Sequence, residues 1–147
     1  MVPLPEFLIG DQMRLKQILI NLVKNSFKFT RKGCIRIIAA YDEANEMLKV
    51  HIFDTGKGIR DDEIAQLFTR FGKLLRTASM NSEGIGMGLM ICQNLINESQ
   101  GTIAVFSEGE NKGSTFTFTV KMKKSVEPHA IVEENREKEF KLPQIVG

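Results

Sequence analysis

The stretch Asp54-Thr55-Gly56-Lys57-Gly58-Ile59 constrains this chain most. It follows a run readable as a strand, Met47 to Phe53, and precedes a polar helical start at Asp61-Asp62-Glu63. One acidic side chain therefore stands at a strand's end beside two glycines, which let the backbone turn and approach a ligand closely. Taken alone, Asp-Thr-Gly is also an ordinary strand-to-helix turn. Two further stretches supply the other parts that a nucleotide site needs.

The first lies upstream. Asp11 suits a helix N-cap, and Leu15, Ile18, Leu19, Leu22 and Ser26 follow a three/four spacing, which predicts an amphipathic helix over about residues 12–28. Asn21 and Asn25 stand four residues apart on it, with Lys28 three further on, so the three share a face. Asparagine is a poor helix former, and two on one face call for a reason beyond solvent exposure or back-bonding. The second stretch is Gly84-Ile85-Gly86-Met87-Gly88-Leu89, opening a helix over about 87–99 with Met87, Ile91 and Leu95 inward and Gly101 as its C-cap. Helix N-termini offer free N–H groups to phosphate. The spacing is neither the dinucleotide fingerprint nor the Walker loop, so a phosphate cradle of another kind and glycines for close helix packing both stay open.

Between these parts, Cys34–Tyr41 and Met47–Phe53 read as strands around an Asp42–Asn45 loop, and 61–71 as a helix with Ile64, Leu67, Phe68 and Phe71 inward. Residues 72–83 have no period and suit a lid or binding loop. Thr102–Phe106 and Ser114–Met122 form a second hairpin, whose last strand alternates cleanly through Thr115-Phe116-Thr117-Phe118-Thr119-Val120. The order predicts an α+β fold, a two-layer sandwich with one mixed, largely antiparallel sheet covered on one face by three helices. Residues 1–122 form this domain. Residues 123–147, with five acidic and five basic side chains and two prolines, read as a charged tail or linker.

The 147-residue length fits one domain with a real core. A net charge of +2 gives no reason to expect nucleic-acid or membrane binding. Cys34 and Cys92 lack metal-ligand spacing, which favours a reducing, cytoplasmic setting. No segment has the roughly 18 apolar residues of a membrane span, and no signal peptide is visible. The start, Met1-Val2-Pro3-Leu4-Pro5 running directly into structured sequence, is that expected of a piece of a longer protein.

Four stretches together resemble sensor histidine kinases. Asn21–Thr30 looks like their N box, Asp54–Ile59 like their G1 box, Leu67-Phe68-Thr69-Arg70-Phe71 like their F box, and Gly84–Leu89 like their G2 box, in family order over about residues 6–122. The resemblance implies a Bergerat-type ATP-binding fold with ATP and Mg²⁺ as cofactors. In it Asp54 accepts a hydrogen bond from the adenine amine, where the carbonyl of guanine would be repelled. Gly56 and Gly58 leave room for base and sugar, and Ile59 completes that motif. Asn25 offers its oxygen to Mg²⁺, Asn21 supports that site, and Lys28 meets phosphate as a point charge. Gly84, Gly86, Gly88 and Leu89 wrap the phosphates. Arg70, Lys73 and Arg76 are lid-side contacts, or equally ordinary solvated cations.

Gyrase-type and chaperone-type relatives place a water-activating glutamate where this chain has Asn21, which cannot act as a general base near neutral pH. That favours phosphoryl transfer to a protein side chain over a clamp ATPase. His51 lies within a strand and His129 follows Pro128, so neither suits a helical phosphoacceptor motif. The implied partners are therefore a separate helical dimerisation and phosphoacceptor domain and a downstream receiver domain, with this domain alone a monomer. The competing reading is a non-catalytic adenine-nucleotide-binding regulatory module.

Overall fold

The computed structural model describes residues 4–68 and 88–126. The elements run β1 (Phe7–Ile9), α1 (Gln12–Phe29), β2 (Ile35–Asp42), β3 (Met47–Asp54), α2 (Asp61–Ile64), α3 (Gly88–Glu98), β4 (Ile103–Phe106), β5 (Ser114–Lys121) and β6 (Lys123–Ser125).

Four strands form one sheet in the order β2-β3-β5-β4. Every pairing among the described strands is antiparallel, so the sheet is not mixed there. Both hairpins pair in register along their length, and β3 joins them through β5, from Met47 opposite Lys121 to Asp54 opposite Ser114. A second, two-stranded sheet pairs β1 with β6, Phe7 opposite Ser125. Sequence periodicity is silent on three-residue strands, and this pairing carries regular structure past residue 122.

The core lies between the four-stranded sheet and the helices. Leu48, Val50 and Ile52 of β3 and Phe116, Phe118 and Val120 of β5 point to one side and are buried with Ile18 and Leu22 of α1 and Cys92 and Ile96 of α3. The clean alternation of β5 thus sorts phenylalanines inward and threonines outward, as period two requires. Asp11 caps α1, accepting the Arg14 amide at 3.0 Å. The β2–β3 loop is held by Asp42, whose carboxylate accepts from the Asn45 amide nitrogens at 3.2 and 2.7 Å. Those hydrogen bonds keep it below the usual carboxylate range.

Three expected details differ. The helix beginning at Asp61 is α-helical only to Ile64. Beyond it, Gln66 and Leu67 donate to Glu63 and Ile64, three residues back, in tighter turns that still bury Leu67. Residues 69–71 of that expected helix, like the lid 72–83, lie outside the described residues. On α3 the inward face is Cys92 and Ile96, fully buried, whereas Ile91 is exposed. Leu95 packs against the core as expected, and Met87 lies outside the described residues; the fully buried positions fall one residue on from Ile91 and Leu95 because the helix meets both α1 and the sheet. Its end also differs: the left-handed residue is Gln100, at φ 56°. Gly101 donates to the Ile96 carbonyl at 2.9 Å, and a side chain on it would strike the Thr119 carbonyl.

Candidate functional site

The strand pairing that buries Ile52 also buries Asp54, which alternation places on the same face at the end of β3. A carboxylate among apolar side chains needs partners. One oxygen accepts the Gly56 amide at 2.9 Å and the other the Ser114 hydroxyl at 2.7 Å. Ser114 is the residue opposite Asp54 in the β3–β5 register, itself buried. Each carboxylate oxygen has two lone pairs, so the group, fixed by two donors, retains capacity for a further one.

The loop after Asp54 is clamped from two sides. The Lys57 amide donates to the Phe29 carbonyl at 2.9 Å, and the Thr55 amide to the Cys34 carbonyl at 3.2 Å, which fasten it to the end of α1 and the start of β2. On its other side, the Asn111 amide donates to the Lys57 carbonyl at 2.6 Å and the Gly113 amide to the Gly56 carbonyl at 3.2 Å. Ser107 anchors this second contact. Its hydroxyl oxygen accepts the Ile59 amide at 3.0 Å and donates to the Gly113 carbonyl at 2.7 Å. A side chain on Gly56 would strike the Phe29 carbonyl, and one on Gly58, at φ 71°, the Gly109 carbonyl. The Cβ position of each glycine is thus occupied by protein backbone. The two glycines are needed to bring the loop against α1 and loop 107–113. Ile59 is fully buried and belongs to the core.

The α1 side carries the polar residues. Among the described residues, the buried side-chain polar atoms with no hydrogen-bond partner are Asn25 Nδ2, Ser26 Oγ and Thr30 Oγ1, all within one six-residue stretch. Buried polar groups are satisfied in the great majority of cases, so a cluster of orphans marks a place prepared for something else. Thr30 Oγ1 adjoins Gly56, which places this stretch against the loop that follows Asp54. Lys28 holds its ammonium 5.7 Å from the centre of the Phe29 ring, within cation–π range. Asn21 points to α3, where it hydrogen-bonds Cys92; burial pushes that thiol up to about 11 despite the Asn21 bond, which acts the other way.

Helix α3 supplies the remaining wall. Arg14 pairs with Glu98 at 3.2 Å and the Cys92 thiol points at the Ile18 carbonyl at 3.8 Å, so α1 and α3 run antiparallel. The antiparallel run directs the first described turn of α3, Gly88 and Leu89, towards the C-terminal half of α1. Among the described residues, a side chain on Gly88 would meet nothing within 4 Å, while Leu89 packs against the core. Lys28 and Asn25 stand on α1, and Gly88 and Leu89 are the first described residues of α3. Arg70, Lys73, Arg76, Gly84 and Gly86 lie outside the described residues.

A cavity of about 570 Å³ opens where α1 ends, lined by Phe29, Arg31, Lys32, Thr55, Gly56, Lys57 and Asn111. Of these only Gly56 was among the candidates read from sequence. Ser107 and Ser114, which fix the loop and the carboxylate, were also missed. The one available signal for Ser114 was its place at the start of a strand able to pair with β3. No helix among the described residues is long and apolar enough to cross a membrane.

Residues 10–124 match the family described as histidine kinase-, DNA gyrase B- and HSP90-like ATPase. The chain is 39% identical over 132 residues to the signal transduction histidine-protein kinase BarA of Escherichia coli (strain K12), a match spanning 88% of this chain and 14% of that protein. Full-length ShkA, solved in complex with AMPPNP, superposes with a TM-score of 0.72 at 29% identity, covering 86% of this chain and 25% of that one. The nucleotide-free catalytic domain of the histidine kinase ThkA gives 0.59 at 30% identity, covering 76% of this chain and 68% of that one.

Proposed function

The chain belongs to the histidine kinase-, DNA gyrase B- and HSP90-like ATPase family, and we propose that it is the ATP- and Mg²⁺-binding catalytic domain of a histidine kinase, transferring the γ-phosphoryl group to a histidine supplied by another domain in a phosphorelay. The observation that carries this reading is the orphaned polar cluster Asn25–Ser26–Thr30 beside a buried, doubly held Asp54. The similarity to named histidine kinases supports it, and the chain spans only 14% of the length of BarA, which leaves ample chain elsewhere for an acceptor.

In this mechanism Asp54 selects adenine by accepting from its exocyclic amine, and Gly56 N–H and Ser114 O–H fix the carboxylate before the base arrives. Phosphates take the other end, against Lys28 and the first turn of α3 at Gly88 and Leu89. Mg²⁺, when bound, neutralises phosphate charge, and Asn25 is the residue that would hold it. The residues fit that role: an amide whose nitrogen has no partner is free to turn and present its oxygen. No group of three or more His, Cys, Asp or Glu stands among the described residues, so phosphate and water oxygens would supply the other ligands, as is common for Mg²⁺. Arg70, Lys73, Gly84 and Gly86 are assigned the lid and phosphate contacts. The acceptor imidazole attacks phosphorus as the bond to the ADP oxygen breaks, and catalysis rests on positioning and charge neutralisation. Asn21, tied to Cys92 in place of a basic carboxylate, leaves water without an activating group.

Titration calorimetry with ATP-Mg²⁺ and with GTP-Mg²⁺ tests the binding half. ATP is expected to bind selectively, with affinity reduced about tenfold or more in Asp54→Asn and Ser114→Ala, the value of one charge-assisted hydrogen bond. Asn25→Ala is expected to make binding less dependent on Mg²⁺. Equal affinity for GTP would sink the role of Asp54. A helical acceptor domain from a related kinase, added in trans, should gain acid-labile phosphohistidine; nucleotide binding without it would favour the non-catalytic module.

A further inference from the structure

Helix α1 carries a second apolar stripe that the core does not use. Met13, Ile20 and Phe27 recur every seven residues and are 68, 43 and 76% exposed. At about 100° per residue they fall on the side of the helix opposite Ile18, Leu22 and Phe29. Lys16 lies on that side between the first two, and Val23, half-buried and also packed against the core, between the last two. Positions 13, 16, 20, 23 and 27 therefore repeat with the three/four alternation of a heptad seam, on the outside of a folded domain. An exposed apolar line of this length on a helix with an independent core face marks a contact surface.

The charge on α1 says what kind of surface meets it. The helix carries Arg14, Lys16, Lys24 and Lys28 and no acidic residue. Arg14 is paired with Asp11 and Glu98. Lys16, within the seam, and Lys24, beside it, are both exposed and take part in no ion pair among the described residues. We propose that the outer face of α1 docks an amphipathic α-helix from outside this chain, whose own apolar stripe is flanked by glutamate or aspartate. The seam is one side chain wide, the width that a second helix covers and a lipid interface does not favour. Self-association would set Lys16 and Lys24 against like charges. The inference is independent of the nucleotide reading, since no residue of the seam belongs to that site.

The test uses two synthetic helical peptides of about three heptads with identical leucine seams, one flanked by glutamate and one by lysine. Fluorescence anisotropy against the 147-residue protein should show the glutamate peptide binding at least about tenfold tighter. Ile20→Ser and Phe27→Ser, exposed positions that should leave Tm unchanged, are each expected to weaken it about fivefold or more. Lys16→Glu with Lys24→Glu should reverse the peptide preference. Equal binding of both peptides, no binding of either, or indifference to the Ile20 and Phe27 variants overturns the proposal. So does a seam-dependent dimer in sedimentation, or seam-dependent binding to phosphatidylserine vesicles in preference to the peptide, which would assign the face to a second copy or to a membrane.

Discussion

At the scale of single residues, the site depends on side chains that act through others. Asp54 is legible from sequence because its strand-end turn stands in one chain with the two-asparagine helix and the glycine-rich helix start. Ser114 and Ser107 are not, because a serine's hydrogen bond to a residue 60 or 48 positions away has no local signature. Cys92 belongs with them: its packing against Asn21 and Ile18 joins the two helices that border the site. Its thiol is raised from 9.0 to about 11 by burial. The stabilisation that goes with the neutral thiol is therefore fully present below pH 9 and is lost as pH rises towards 11, when the unfolded chain ionises and the fold does not. The loss reaches about 2 kcal/mol by the upper end of that window. Denaturant titrations on both sides of this window should show a steeper decline for the wild type than for Cys92→Ala; parallel curves would remove the thiol as the cause.

At the scale of elements, the loop after β3 is the best-determined piece and also the most easily broken. It is held between the end of α1 and loop 107–113 by backbone hydrogen bonds from Lys57, Asn111 and Gly113. Gly58 has a left-handed backbone and no space for a side chain in front of the Gly109 carbonyl. Gly58→Ala is therefore expected to cost about 1–2 kcal/mol for the backbone conformation alone, with displacement of loop 107–113 added to it. Tm should fall by roughly 3–5 °C per kcal/mol, and ATP affinity should fall with it as Ile59 and Asp54 lose their support. An unchanged Tm would mean that the two loops move apart without penalty. The element-level reading succeeded for α1, β3 and β5, whose apolar periods are long. On α3 it held for Leu95 but not for Ile91, which is exposed while Cys92 and Ile96 are buried, because a short helix between two neighbours has several apolar spacings to choose from.

At the scale of the whole molecule, β1 and β6 tie the two ends of the folded region together beyond the span suggested by composition. Ending the chain after Met122 deletes β6 and with it every ladder partner of Phe7–Ile9, as well as the 3.0 Å pair of Lys124 with Glu43. Compared with a chain ending after Val126, this truncation should lower stability by about 1–2 kcal/mol, the net value of a few backbone hydrogen bonds, read as a lower Tm. Equal Tm values would show that the small sheet adds nothing to the fold. The sequence by itself determined the α+β class, the amphipathic α1 with its asparagines and lysine, the buried and exposed faces of β5, and Asp54 with its glycines. All of these are set by spacings within one element, where period and turn chemistry act over a few residues. Only the tertiary structure decided the β2-β3-β5-β4 order, the second sheet, the antiparallel docking of α3 on α1, and the serines that hold the site. Those depend on strand register and helix packing between residues distant in the chain, and register is fixed only when the whole sheet buries one face.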